Sequence, residues 1–301
     1  VNRVKAVSYK PKIVFFIDRF DWAFDRIAKA VTRHIGGEFE IVRVPYPDYI
    51  RERYKEHVDV AVYMWWKSAK TLMDNVSAGA HIIAIYDAFS WPNSTDALKE
   101  ISRRIEGVVV ANPLLKKQIS AVLPKTRFWL CEDGVDTGFF SEQPMPSGEF
   151  TIGWAGNSKA AGGIKGLHLI ESACNIAGVD LLVADRNDAH VPWGMMPSKF
   201  YKEIHAYCCA STAEGTPNPV LEAMSCARPI ISTNVGLVPQ LVNKDNGIIV
   251  NRSVSDIANA IAKLKKANVA EMGKAARAAV EPFDWSLKAQ DWKTALQECL
   301  P

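Results

Sequence analysis

The feature that most constrains this chain is an alternation, run through twice, of short apolar stretches of strand length with longer stretches of helical periodicity. In the first half, 12–17, 39–44, 58–64, 81–86, 108–111 and 127–131 are apolar and bounded by turn formers, and we assign them as strands. Between them 24–35, 97–105 and 113–123 have helical spacing. The clearest is 24–35, where Phe24, Ile27, Ala28, Val31 and Ile35 share one side, Asp25, Arg26, Lys29 and Arg33 take the other, and Gly36-Gly37 stops the helix. Strands that alternate with helices in this way form a parallel sheet covered on both faces. The turn-rich stretch 143–149, with Pro144, Pro146 and Gly148, marks the expected domain boundary. A second alternation follows it, with strands at 151–155, 181–184, 207–211, 229–233 and 247–250 and helices at 166–177, 198–206, 219–227, 237–242 and 254–266. The tail, 285–300, is amphipathic.

The chain has 301 residues, enough for two domains of about 150 each. With 48% hydrophobic and 23% charged residues it has the composition of a folded, soluble protein. Net charge is only +3, which argues against nucleic acid as a partner. The six cysteines show no metal-ligand spacing, and several lie in apolar runs, as reduced buried residues of a cytoplasmic protein do. No apolar stretch reaches the length of a membrane span. There is no HExxH, no Walker lysine motif and no nucleophile elbow, so the common metalloprotease, NTPase and hydrolase readings fall away, and no metal site is expected.

The chemistry concentrates at Ala213-Glu214-Gly215-Thr216-Pro217-Asn218-Pro219-Val220-Leu221-Glu222-Ala223-Met224, a strand, tight loop and helix start carrying two carboxylates eight residues apart. Asn218 suits the N-cap and Pro219 the first helical position, which would leave the amides of Val220 and Leu221 as donors pointing out of the helix. Such a helix end attracts phosphate. Pro217 and Pro219 lack an N–H, so backbone donation is confined to Gly215, Thr216, Asn218 and the first turn. Glu214 and Glu222 fit beside a phosphate if their partners are sugar hydroxyls, for which a carboxylate is a strong acceptor. Upstream, Gly153-Trp154-Ala155-Gly156-Asn157 and Ala161-Gly162-Gly163-Ile164-Lys165-Gly166 place a glycine-rich turn after a strand and a lysine before a helix. Backbone can approach a phosphate closely there, and Lys165 adds a point charge.

With Ala227-Arg228-Pro229-Ile230-Ile231-Ser232-Thr233-Asn234-Val235-Gly236 following, the run from Ser211 to Val250 resembles the Glu-x7-Glu region of the family 4 retaining glycosyltransferases. The resemblance implies the GT-B fold: α/β, two Rossmann-like lobes whose parallel sheets face an interdomain cleft. It makes 1–146 the N-terminal acceptor lobe, 147–282 the donor lobe, and 283–301 a C-terminal helix returning to the N-terminal lobe. It also implies transfer of a sugar, with retention, from a nucleotide-diphosphate sugar to a hydroxyl acceptor on a glycan, a lipid-linked molecule or a small molecule, with no cofactor required. Glu222 would hold the ribose, Glu214 the donor sugar, and Lys165 the diphosphate. The family often has Arg where Asn157 stands, so Arg186 and Lys159 are expected to supply charge there. Leu130-Cys131-Glu132-Asp133-Gly134-Val135-Asp136 resembles the family's Pro-Asn-Gly-Val-Asp turn, with Asp133 at the usual Asn.

The first lobe matches less well. Asp18-Arg19-Phe20-Asp21-Trp22-Ala23 stands where relatives have a Gly-Gly loop, and Tyr86-Asp87-Ala88 where many have a histidine. Asp87 would receive the acceptor's proton, orient the sugar or merely cap a turn. Trp65, Trp66 and Trp91 offer stacking surfaces for a sugar or core packing. Three alternatives stay open. One is another GT-B enzyme, such as a sugar-nucleotide epimerase or phosphorylase. The second is a silent sugar-nucleotide-binding subunit. The third adds peripheral membrane contact through the basic face of helix 24–35.

Overall fold

The protein is described by a computed structural model covering residues 9–46, 54–160 and 163–300. Arg3, Lys5, Ala161 and Gly162 lie outside the described residues. The chain divides into two compact units. The first comprises Val1–Tyr86, Ser90–Glu132 and Ser286–Pro301, and the second Asp87–Phe89 and Asp133–Trp285. The stretch 143–149 lies inside the second unit, where the Gln143 and Pro144 carbonyls accept from the buried Arg228 guanidinium.

In the first unit the order is β1 (Lys12–Ile17), α1 (Ala23–Ile35), β2 (Glu40–Pro45), β3 (Tyr54–Tyr63), α2 (Trp66–Leu72), β4 (Val76–Ile85), α3 (Thr95–Ser102), β5 (Gly107–Val110), α4 (Pro113–Val122) and β6 (Arg127–Leu130). Among the described residues these strands form one parallel sheet, β2-β1-β3-β4-β5-β6. Ile13 to Ile17 and Val60 to Tyr63 are fully buried, as strands covered on both faces must be. One helical assignment needs correction. Asp25, expected on the polar side of α1, is fully buried, its carboxylate held by Lys29, Arg43 and the Asp21 amide. Burial opposes its charge, but these donors outweigh that and hold the carboxyl below its usual value.

The second unit repeats the plan with β7 (Thr151–Gly156), α5 (Leu167–Ala177), β8 (Asp180–Asp185), α6 (Met196–Lys199), β9 (Ala206–Cys209), α7 (Asn218–Ser225), β10 (Ile230–Thr233), α8 (Val238–Leu241), β11 (Gly247–Val250), α9 (Val254–Leu264) and α10 (Val269–Val280). Its described strands form a parallel sheet, β11-β10-β9-β7-β8. Alternate strand residues enter two separate cores: Cys208 and Ile231 pack with α5 and α9, while Tyr207, Cys209 and Ile230 pack with α7, α8 and α10. The two parallel sheets with their helices are the GT-B type of α/β fold.

The helix predicted over 198–206 is a second correction. The segment forms α6, then a 3-10 turn at Tyr201–Glu203, and strand from Ala206. Phe200 leaves helical angles at φ −128°, and Arg228 Nε takes the Tyr201 carbonyl at 2.7 Å. Helices α2 and α10 carry no prediction from the sequence; Asn268 caps α10 by accepting from the Glu271 amide. The last helix, α11 (Trp285–Gln297), contributes its residues from Ser286 onward to the first unit. There Trp292 is fully buried against Phe15, with ring centroids 5.3 Å apart.

All six cysteines are free and buried. No described helix is long and apolar enough to cross a membrane.

Candidate functional site

In an open parallel sheet the binding crevice lies at the carboxyl ends of the two strands where the winding direction reverses. In the second unit those strands are β7 and β9, since β8 lies to one side and β10 to the other. The loops leaving them carry Lys165 and Glu214, and the structure brings the two together: Lys165 Nζ is 2.6 Å from Glu214 Oε1. The same oxygen accepts the Ser211 hydroxyl at 2.7 Å.

The two loops are tied by backbone. The Thr212 amide donates to the Ile164 carbonyl at 2.9 Å, and Arg252, just beyond β11, donates to the carbonyls of Ala210 and Gly163, each at 2.9 Å. Gly166 enters α5 at φ +67°, with its α-carbon so close to the Ala210 carbonyl that a β-carbon would collide with it. Only glycine meets both demands.

Glu222 lies on the second turn of α7 and is 9% exposed. Its Oε1 accepts the Trp193 indole N–H at 3.2 Å and its Oε2 the Tyr201 hydroxyl at 2.6 Å. The helix start differs from the expectation in two ways. Asn218 is the first helical residue rather than the cap, Pro217 occupies the cap position, and no side chain caps the helix. The Val220 amide, expected to point outward, donates to the Pro217 carbonyl at 2.8 Å, because the Thr216-Pro217 turn folds back over the helix end. Leu221 packs into the core. Gly215 is buried, its carbonyl against Gly236, which has φ +54°.

Gly156 ends β7, and its carbonyl accepts the Arg186 amide at 3.0 Å, which places Arg186 beside the turn. Asn157 Oδ1 accepts from the Asn187 amide group at 2.8 Å and the Lys159 amide at 3.0 Å. Asp185 closes the same turn by accepting from Ser158 and Asn187, which keep its carboxyl below the usual range despite burial.

Asp133 is 2% exposed, and its Oδ1, like the buried Thr216 Oγ1, has no hydrogen-bond partner among the described residues. Burial pushes its carboxyl up to about 7.

In the first unit, Asp18 follows β1 and half-burial raises its carboxyl. Arg19 stacks over Trp22 at 3.9 Å. Trp65 is 40% exposed, whereas Trp66 is buried with its indole N–H on the Ser90 hydroxyl, and Trp91 is buried too. Asp87, which belongs with Phe89 to the second unit, accepts the Phe89 amide on Oδ1 at 3.0 Å, a turn-capping geometry. Trp193, Tyr201, Ser211 and Arg252 went unmarked in the sequence. They occupy irregular segments or strand ends, where no periodicity singles out a residue.

The second unit's sequence can be placed beside known families. Residues 183–266 match the family described as Glycosyl transferases group 1. That stretch includes Glu214, Glu222, Trp193 and Tyr201. A search of curated proteins finds no match. Among solved structures, sucrose-phosphate synthase from Thermosynechococcus elongatus is similar at 12% identity and TM-score 0.75, covering 96% of this chain and 99% of its own. A glycosyltransferase from Rickettsia africae is similar at 13% identity and TM-score 0.72, covering 97% and 99%. Anabaena HepE, solved with UDP and glucose, is similar at 14% identity and TM-score 0.71, covering 96% and 100%. At these identities the likeness establishes the fold.

Proposed function

We propose that the protein is a retaining glycosyltransferase of the family 4 type, which moves a sugar from a nucleoside-diphosphate donor to a hydroxyl acceptor. The observation that carries the reading is the Lys165–Glu214 pair at the switch point of the second unit, with Glu222 on the helix that follows. The match of residues 183–266 to glycosyl transferases group 1 supports it. The presence of UDP and glucose in the HepE structure makes UDP-glucose the first donor to test.

In this reading the donor diphosphate enters beside Lys165 and the Gly156 and Gly163–Gly166 turns, and it competes with Glu214 for the ammonium. Glu214, relieved of part of that ion pair, accepts hydroxyls of the donor sugar, and Glu222 accepts those of the ribose. As the bond from the anomeric carbon to the diphosphate oxygen breaks, negative charge grows on the leaving group. Lys165 and the loop amides that remain available stabilise it, and fixed donors aimed at developing charge are the largest catalytic contribution in such a site. The acceptor oxygen bonds to the anomeric carbon on the face the diphosphate leaves, and its proton passes to the departing phosphate oxygen. No protein nucleophile is needed. Arg186, beside the Gly156 turn, adds positive charge that Asn157 cannot supply.

Thermal stabilisation by UDP, UDP-glucose and other nucleotide sugars tests the reading. A ligand at a hundredfold excess over Kd stabilises by about 2.7 kcal/mol. The shift is expected in the wild type and lost in Lys165→Ala and Glu222→Ala. Equal shifts in all three proteins would remove this site from consideration. Product anomer analysis with the best donor then decides retention, and turnover without any acceptor would favour an epimerase.

A further inference from the structure

Glu222 is an unusual acceptor because two side chains from a different segment already grip it. Trp193, in the turn after β8, donates its indole N–H to Oε1 at 3.2 Å; Tyr201, in the 3-10 turn before β9, donates its hydroxyl to Oε2 at 2.6 Å. The two donors are held to different degrees, since Trp193 is 37% exposed and rests on its ring contacts. Tyr201 is fully buried, with its ring edge-on to Phe140 and Phe200. Trp193 stacks on Phe139 with centroids 4.6 Å apart and planes 18° apart, and it meets Phe140 edge-on. Each donor holds one oxygen, so the carboxylate plane cannot rotate, and the directions from which Glu222 can accept a further hydroxyl are fixed.

We propose that Trp193 and Tyr201 are positioning residues that lock the Glu222 carboxylate in one orientation and thereby make the site selective for donors carrying an intact ribose diol. The inference rests on the reading of Glu222 as the ribose contact and extends it to substrate choice. An indole N–H can only donate, so Trp193 cannot reverse its role. Burial and the neighbouring Glu222 charge raise the Tyr201 phenol well above its ordinary value, so its proton stays in place to be donated. A carboxylate pinned at both oxygens presents its remaining acceptor capacity at fixed angles. Adjacent cis hydroxyls can match such angles, and a 2′-deoxyribose offers only one of the two. A site built on a hydrogen-bonded substrate hydroxyl discriminates steeply against the analogue lacking it, since a buried polar group is then left unsatisfied. A mobile carboxylate would discriminate less, because it could turn to whichever hydroxyl is present.

The test is calorimetric binding to the full chain of UDP, ADP, GDP and CDP, their 2′-deoxy counterparts, and inorganic pyrophosphate, which has no ribose. The wild type is expected to favour the ribonucleotide by about tenfold or more, the scale of one hydrogen bond to a charged group. Tyr201→Phe, which removes only the hydroxyl, and Trp193→Phe, which keeps a ring against Phe139, should each bring that preference down to about two- to fivefold, about the worth of one ordinary hydrogen bond. Pyrophosphate affinity should not change in either variant. Tyr201→Phe and Trp193→Phe proteins that keep the wild-type preference overturn the proposal, as does a wild type that binds ribo- and deoxynucleotides equally. In both cases Lys165-dependent pyrophosphate binding would leave the donor site itself standing. Absence of binding by every probe would instead defeat the donor reading and this inference with it.

Discussion

Asp133 makes the stability of the second unit depend on pH through a single side chain. Its folded carboxyl titrates at about 7 against 3.8 when exposed, because burial disfavours the charge. The folded state therefore holds this proton more tightly than the unfolded chain does, so the contribution to stability is complete below about pH 4 and is lost as the pH climbs to about 7. Asp133→Asn cannot ionise. Its unfolding free energy, from urea titration, is expected to equal that of the wild type near pH 4 and to exceed it at pH 8 by at most about 4 kcal/mol; parallel pH curves would show that Asp133 is solvated. Lys165→Ala is expected to lower kcat by about 10²- to 10³-fold, the cost of removing one fixed donor from developing charge. Lys165→Arg should recover part of that loss, with single-turnover rates as the measurement.

At the scale of elements, the proposed donor site depends on how α5 and α7 begin. Gly166→Ala forces a side chain into a left-handed conformation and against the Ala210 carbonyl, so a loss of about 2–4 kcal/mol is expected in thermal or urea unfolding. The effect should exceed that of Gly178→Ala, where φ is also positive but no atom crowds the position. Lys165, Glu214 and Glu222 stand out in the sequence because charged residues interrupt a regular apolar and glycine pattern, and the structure pairs the first two. Strands β1 and β11 were legible to the residue for a similar reason, being short apolar runs between turn formers. The cap of α7 was not legible: Asn218 suits the role, but the Pro217 carbonyl takes the Val220 amide and the chain turns in one residue earlier. Nor was the Trp193 and Tyr201 grip on Glu222, since it joins two 3-10 turns to a helix distant in sequence through contacts that no local spacing encodes. The burial of Asp25 was hidden in the same way, because its cation Arg43 arrives from β2.

For the molecule as a whole, the consequential fact is that the first unit is discontinuous. Its sheet is built from the first 132 residues, yet Trp292, packed on Phe15, comes from α11. Trp292→Ala is expected to cost about 3–5 kcal/mol, as deletion of a buried aromatic ring does. Pyrophosphate binding, which in the proposed site uses only second-unit residues, should survive even at temperatures where the variant's first unit has unfolded. Synthesis runs in the opposite sense to assembly. The ribosome makes α11 after all of the second unit, so Phe15 must wait through synthesis of that whole unit for the ring that covers it. A nascent chain is therefore expected to complete its later half first, and any stall before Trp292 would leave the earlier half with an open, aggregation-prone face that a holdase chaperone would recognise.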